Sequence, residues 1–94
     1  MVKRGSDDDG AWRRYAADLA TNLRRLRLAR DLSQEEVAYR AGLTRYTYQK
    51  YEKGESRPGA AANPTIRSLL ALAQVLEAPL SDILPATAPD LRVR

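Results

Sequence analysis

Ser33-Gln-Glu-Glu-Val-Ala-Tyr-Arg-Ala-Gly-Leu-Thr-Arg-Tyr-Thr-Tyr-Gln-Lys-Tyr-Glu-Lys-Gly54 is the stretch whose reading decides the fold. Ser33 followed three residues later by Glu36 is a capping box, the Ser33 hydroxyl serving the Glu36 amide and the Glu36 carboxylate the Ser33 amide. In the short helix this opens, Val37, Ala38 and Ala41 face inward. Gly42 ends it, because glycine enters the left-handed region at little cost. Leu43 leads into Thr44, a second N-cap candidate. The helix that follows runs from about Thr44 to Lys53 and stops near Gly54, before Pro58. At roughly 100° per residue, taking Tyr48 as the inward direction places Tyr51, Glu52 and Thr44 on the packed side. Tyr46, Gln49, Lys50 and Lys53 then fall on the opposite side, with Arg45 and Thr47 on the flanks, so the exposed face is polar, cationic and aromatic.

Upstream, Trp12, Tyr15, Ala16, Leu19, Ala20, Leu23, Leu26 and Ala29 step by three and four, predicting a helix over about Ala11–Arg30. Asp31 stands where the chain must turn. Downstream, residues 55–63 have no period and contain Pro58 and Gly59, which predicts a loop. Pro64-Thr65 opens a further helix with the stripe Ile66, Leu69, Leu70, Ala73 and Leu76, ending at the Ala78-Pro79 boundary. Ser81-Asp82-Ile83-Leu84 predicts a last short helix before Pro85. The expected organisation is all-α: five helices over residues 11–84, a disordered N-terminal tail over 1–10, and a flexible C-terminal tail over 85–94.

The composition narrows the function. With 94 residues, 44% hydrophobic and 30% charged, the chain suits one small globular domain. Cysteine and histidine are both absent, which removes disulfides, thiolate chemistry, the usual zinc ligands and imidazole acid–base catalysis together. No metal and no cofactor is expected, and no enzyme: the Glu35-Glu36 pair is better explained by helix capping and the helix dipole than by acid–base work. The longest apolar run, Leu69 to Ala73, is far short of the roughly 18 residues of a membrane span. The first ten residues hold no apolar core of a secretory signal, so no membrane association and a cytoplasmic location are expected. From Arg24 to Arg57, nine basic residues stand against five acidic ones. A solvated helix face would explain that excess as readily as a nucleic acid would.

The strongest local signal is the junction itself. A helix-turn-helix needs a small residue where its helices touch, a glycine for the sharp turn and an apolar plug, and Ala38, Gly42 and Leu43 supply them. A plain helical hairpin within a bundle would use the same residues. The wider pattern separates the two. Leu23-Arg-Arg-Leu-Arg-Leu-Ala-Arg30, Leu32 to Ala38, Arg40 to Thr44, Tyr51-Glu-Lys-Gly54, Pro64 to Ala73 and Leu80 to Leu84 together resemble the Cro/phage-repressor type, xenobiotic-response-element-like family of helix-turn-helix regulators.

That resemblance covers about residues 19–84 and implies a compact five-helix, lambda-repressor-like domain whose third helix lies in the DNA major groove. Carried over by position, Arg45, Tyr46, Gln49 and Lys50 are expected to contact bases. Arg and Lys suit guanine O6/N7, Gln suits adenine N6/N7, and Tyr46 suits a thymine methyl or a phosphate. Gln34, Thr44, Thr47, Lys53, Ser56 and Arg57 are expected on phosphates, which position the protein without specifying sequence. Arg27 and Glu52 occupy positions that in the family often form a buried structural ion pair.

Three features depart from the family pattern. Tyr48 and Tyr51 stand where Ile, Leu or Val is usual, so each hydroxyl must find a partner or the solvent edge. Asp31 replaces a common glycine. Residues 59–63 look like an insertion of about five residues.

The partner expected is double-stranded DNA bound by a homodimer, with half-sites about one helical turn, roughly 34 Å, apart. Leu91, Val93 and the last helix are expected in the dimer contact, and no small-molecule effector is evident. The competing expectation is a protein-interaction module, a coactivator, bridging or antitoxin-like partner using the same fold without an operator of its own.

Overall fold

Five helices carry the fold of the computed structural model, which describes residues 6–93. They are α1 (Ser6–Ala29), α2 (Gln34–Arg40), α3 (Arg45–Lys53), α4 (Ile66–Leu76) and α5 (Leu80–Ile83), with strands β1 (Glu55–Arg57) and β2 (Ala60–Ala61) between α3 and α4. The architecture is thus mostly helical rather than purely α.

Helix α1 begins at Ser6, five residues earlier than the periodicity predicted, so residues 6–10 are not a tail. The remainder of that expected tail, residues 1–5, lies outside the described residues. Ser33 caps α2 in a complete capping box, accepting from the Glu36 amide while Glu36 accepts from the Ser33 amide. Gly42 turns the chain at φ 72°, and Thr44 caps α3 by accepting from the Thr47 amide at 3.0 Å. Asp31 adopts φ 59° in the turn after α1, a conformation Asp tolerates better than most residues.

The second correction concerns residues 55–63. They form a hairpin rather than a structureless loop, with Glu55 opposite Ala61 and Arg57 opposite Ala60. Pro58-Gly59 makes its tip with Gly59 at φ 83°, the proline-then-positive-φ order of a type II turn. Strands of three and two residues are too short for period-two patterning to reveal them. What looked like an insertion therefore has a place in the fold: β2 packs against α1, Ala62 is buried, and Arg13 Nη2 donates to the Gly59 carbonyl at 3.2 Å.

The core gathers Leu19 and Leu23 of α1, Val37 and Ala38 of α2, Tyr48 of α3, Leu69, Leu72, Ala73 and Leu76 of α4, and Ile83 of α5. Leu72 replaces two positions of the expected α4 stripe: Ile66 and Leu70 are exposed. At 100° per residue the four buried α4 residues centre near Leu69 and Leu76, leaving Ile66 and Leu70 on the flank. Ile66 instead borders an apolar cleft whose walls include Trp12, Tyr15 and Leu69, with Pro89 and Leu91 of the C-terminal segment. That segment, residues 84–93, has no helix or strand yet lies along α1. Asn22 Nδ2 donates to the Ile83 carbonyl at 3.0 Å and ties α5 to α1.

One carboxylate joins the first three helices. Glu52 Oε2 accepts from Arg27 Nε at 2.6 Å and from the Tyr48 hydroxyl. Its Oε1 accepts from Arg27 Nη2 and from Gln34 Nε2, both at 3.0 Å. Four donors saturate the acceptor capacity of an ionised carboxyl. The Arg27 side chain is 12% exposed and the Glu52 side chain 4%, and Arg27 Nη1 also donates to the Leu32 carbonyl at 3.0 Å. Burial alone would raise the Glu52 pKa, but the hydrogen bonds from Arg27, Tyr48 and Gln34 outweigh it and hold the group below its ordinary value. The hydrogen bond to Glu52 raises Arg27. Burial, and then the bond to Glu52, push the Tyr48 hydroxyl well above the usual phenol range. Tyr48 thus supplies a donor that an aliphatic residue at this position would lack.

Glu52 is the more acidic in the folded state, so its contribution is complete above its unfolded value of about 4.3 and is lost as pH falls through the folded value. Thermal melts should therefore show stability dropping on acidification below about pH 4.3. Glu52→Gln should cost about 3 kcal/mol near neutrality and flatten that acid limb; an unchanged limb would show that other carboxylates carry it. A second expectation concerns glycine. A Cβ at Gly54, φ 77°, would stand 3.2 Å from the Ala17 backbone, whereas one at Gly42 would meet nothing within 4 Å. Gly42→Ala should cost only the left-handed strain, about 1–2 kcal/mol. Gly54→Ala should cost measurably more in urea unfolding, and equal losses would mean that the close approach constrains nothing.

Candidate nucleic-acid interface

Everything that faces outward on α3 follows from the way its inner face is held. Tyr48 is fully buried as the α3 member of the core, while Glu52, one turn on, is locked to Arg27 and Gln34. Gly54 then stops the helix, its amide donating to the Tyr51 carbonyl at 3.2 Å. With rotation and length both set, the opposite side chains project away from the core.

Arg45 and Tyr46 stand exposed in the first turn, Tyr46 at 67%. Lys50 lies half-buried one turn later because its ammonium rests 4.1 Å from the centroid of the Tyr46 ring, a cation–π pairing one helical turn long. Gln49 is half-buried beside it, with Nε2 3.3 Å from Gln34 Oε1. Lys53 is exposed at the end of the helix. These five residues share one face.

The expected phosphate set divides. Thr44 and Thr47 are bonded to each other: Thr44 Oγ1 accepts from the Thr47 amide and donates to Thr47 Oγ1 at 2.9 Å. Their first duty is to cap α3. Gln34 is half-buried and spends its amide on Glu52 and Gln49, so it is joined to the α2–α3 framework rather than standing free. Ser56 and Arg57 lie on β1 of the hairpin, Ser56 half-buried and Arg57 exposed.

A shallow depression bounded by Arg24, Arg27, Gln34, Gln49, Glu52 and Lys53 opens on the same side of the molecule. A second, formed by Arg27, Ser33, Gln34, Glu35 and Arg45, adjoins it. Arg24 is the residue that the sequence reading passed over. It precedes Arg27 by three on α1, so the spacing that points Arg27 toward Glu52 also carries Arg24 to the rim. Among the described residues the only carboxylate facing the first depression, Glu52, is neutralised by Arg27, and what remains is cationic and amide-bearing. Such a surface offers donors to phosphate oxygens and to base edges. Among the described residues no group of three or more acidic, histidine or cysteine side chains is arranged to hold a metal, and no helix is long and apolar enough to cross a membrane.

Comparison with known proteins bears on the family and the fold. The high-resolution crystal structure of the restriction-modification controller protein C.AhdI from Aeromonas hydrophila superposes with a TM-score of 0.65 at 29% sequence identity, over 73% of this chain and 96% of that one. A search of curated proteins finds no match. The helix-turn-helix domain family matches residues 18–84, a span from the middle of α1 to the end of α5 that includes every element of the interface. The chain belongs to the helix-turn-helix domain family.

Proposed function

We propose that this protein is a transcriptional regulator that binds double-stranded DNA sequence-specifically as a homodimer, with α3 in the major groove. The observation that carries the reading is the outward face of α3: Arg45, Tyr46, Gln49, Lys50 and Lys53 are presented together by a helix whose inner face is pinned by Tyr48 and Glu52. Pre-set orientation matters because a base-reading side chain must arrive within hydrogen-bond distance of one edge. Membership of the helix-turn-helix family, and the likeness to a protein named as a controller, support a regulatory role.

Base reading is assigned to Arg45, Tyr46, Gln49 and Lys50, and backbone contact to Lys53, Arg57 and Arg24 at the rim. Thr44, Thr47 and Gln34 offer further contacts to phosphate only through the hydrogen-bonding capacity their internal bonds leave over, and Ser56 offers its hydroxyl from β1. One helix of nine residues supplies few base contacts, so two copies on a two-fold site, half-sites about 34 Å apart, give the affinity a single copy lacks.

The test is equilibrium binding to duplex DNA over a salt series. Affinity should fall with a log–log slope of about −0.9 for each phosphate neutralised. Lys53→Ala should weaken binding to all sequences alike and make the slope shallower by about one unit, whereas Lys50→Ala should relax the preference at one base pair. If the wild-type protein binds no duplex at physiological salt, the fold serves here as a protein-interaction module instead.

A further inference from the structure

Gln34 and Gln49 are attached to the Glu52 carboxylate in a chain that has a direction. An ionised carboxylate only accepts hydrogen bonds. The carboxamide of Gln34 therefore turns its nitrogen to Glu52, Nε2 to Oε1 at 3.0 Å. Its own Oε1 is left facing Gln49, whose Nε2 stands 3.3 Å away. An amide oxygen is satisfied only by a donor, so Gln49 is held with its amino group toward Gln34. Its Oε1 then points away from the framework. Among the described residues no buried side-chain oxygen or nitrogen lacks a partner, and the Gln49 Oε1, which has none, is accordingly open to solvent on the α3 face.

A free glutamine on a recognition helix can turn its carboxamide over. In one orientation it accepts from the adenine amino group and donates to N7; in the other it donates to guanine O6 or N7. The tethered Gln49 loses its bond to Gln34 if it turns. We propose that Gln34 is a positioning residue that passes the polarity of the Glu52 carboxylate to Gln49, so that Gln49 reads adenine and rejects guanine and thymine at one base pair. Adenine fits best because the free Oε1 meets N6 while the second amide hydrogen meets N7. Guanine and thymine set a keto oxygen against Oε1, acceptor against acceptor. This inference rests on the reading that the outward face of α3 enters the major groove.

The experiment is selection from a randomised duplex library at physiological salt with the wild-type protein, Gln49→Ala and Gln34→Met. The base pair read by Gln49 is the one at which Gln49→Ala abolishes the preference. Adenine is expected there, and Gln34→Met should lower the adenine-over-guanine ratio at that pair by about tenfold, leaving preferences elsewhere in place. A keto base or cytosine at that pair overturns the proposal. So does a ratio that Gln34→Met leaves unchanged, which would make Gln34 at most a phosphate contact, or a loss of preference spread evenly over all positions, which would make it a support of the whole helix rather than of Gln49. Each of these leaves the groove reading standing, whereas a wild-type protein that enriches no sequence removes both. Should Gln34→Met not fold, nuclear magnetic resonance of the free wild-type protein decides. The Gln49 side-chain amide should lie close to Gln34 and exchange with water slowly, and exchange as fast as that of an unrestrained glutamine overturns the proposal.

Discussion

A single buried carboxylate is the constraint on which the rest depends. Glu52 draws one donor set from each of three helices, Arg27 from α1, Gln34 from α2 and Tyr48 from its own helix. A buried ion pair is a weak source of net stability, since the desolvation of both charges offsets most of their attraction. Its value is geometric. Removing any one partner leaves charge or hydrogen-bonding capacity unsatisfied in a dry place, so alternative packings of α3 are costly even where the native packing gains little. The apolar core alone would hold α3 against α1 and α2 but would tolerate rotation. The carboxylate does not.

That arrangement also explains the tyrosines. An aliphatic residue at position 48 would fill the core and leave Glu52 with three donors. Tyr48 fills the same space and reaches the carboxylate with its hydroxyl, so the inner face of α3 is packed and polar at once. On the outer face Tyr46 performs a different service, lying under the Lys50 ammonium and limiting where it can go.

Much of this was legible in the residues. The capping box at Ser33, the glycine turn at Gly42, the Thr44 cap and the helical stripe from Trp12 each depend on local chemistry, and local chemistry is what a sequence displays. The inward face of α3 could be named because one turn of helix ties Tyr48 to Glu52. Three things were hidden. The start of α1 was obscured because residues 6–10 carry no apolar stripe from which a helical period could be read. The hairpin at residues 55–61 was hidden by its brevity, and its reason for existing, contact with α1 through β2 and Arg13, lies more than forty residues away in the chain. The engagement of Gln34 with Glu52 and Gln49 was hidden because amide-to-amide bonds between neighbouring helices leave no periodic trace.

The approach of Gly54 to Ala17 has a mechanical meaning when set beside the pair formed by Arg27 and Glu52. Both join the end of α3 to α1, but at points ten residues apart on α1, or about 15 Å along its axis. One point of attachment is a pivot; two fix a heading. Helix α1 acts as a straightedge against which α3 is aligned, so a bend or slip between residues 17 and 27 would swing the reading face off its line while leaving every residue on that face unchanged.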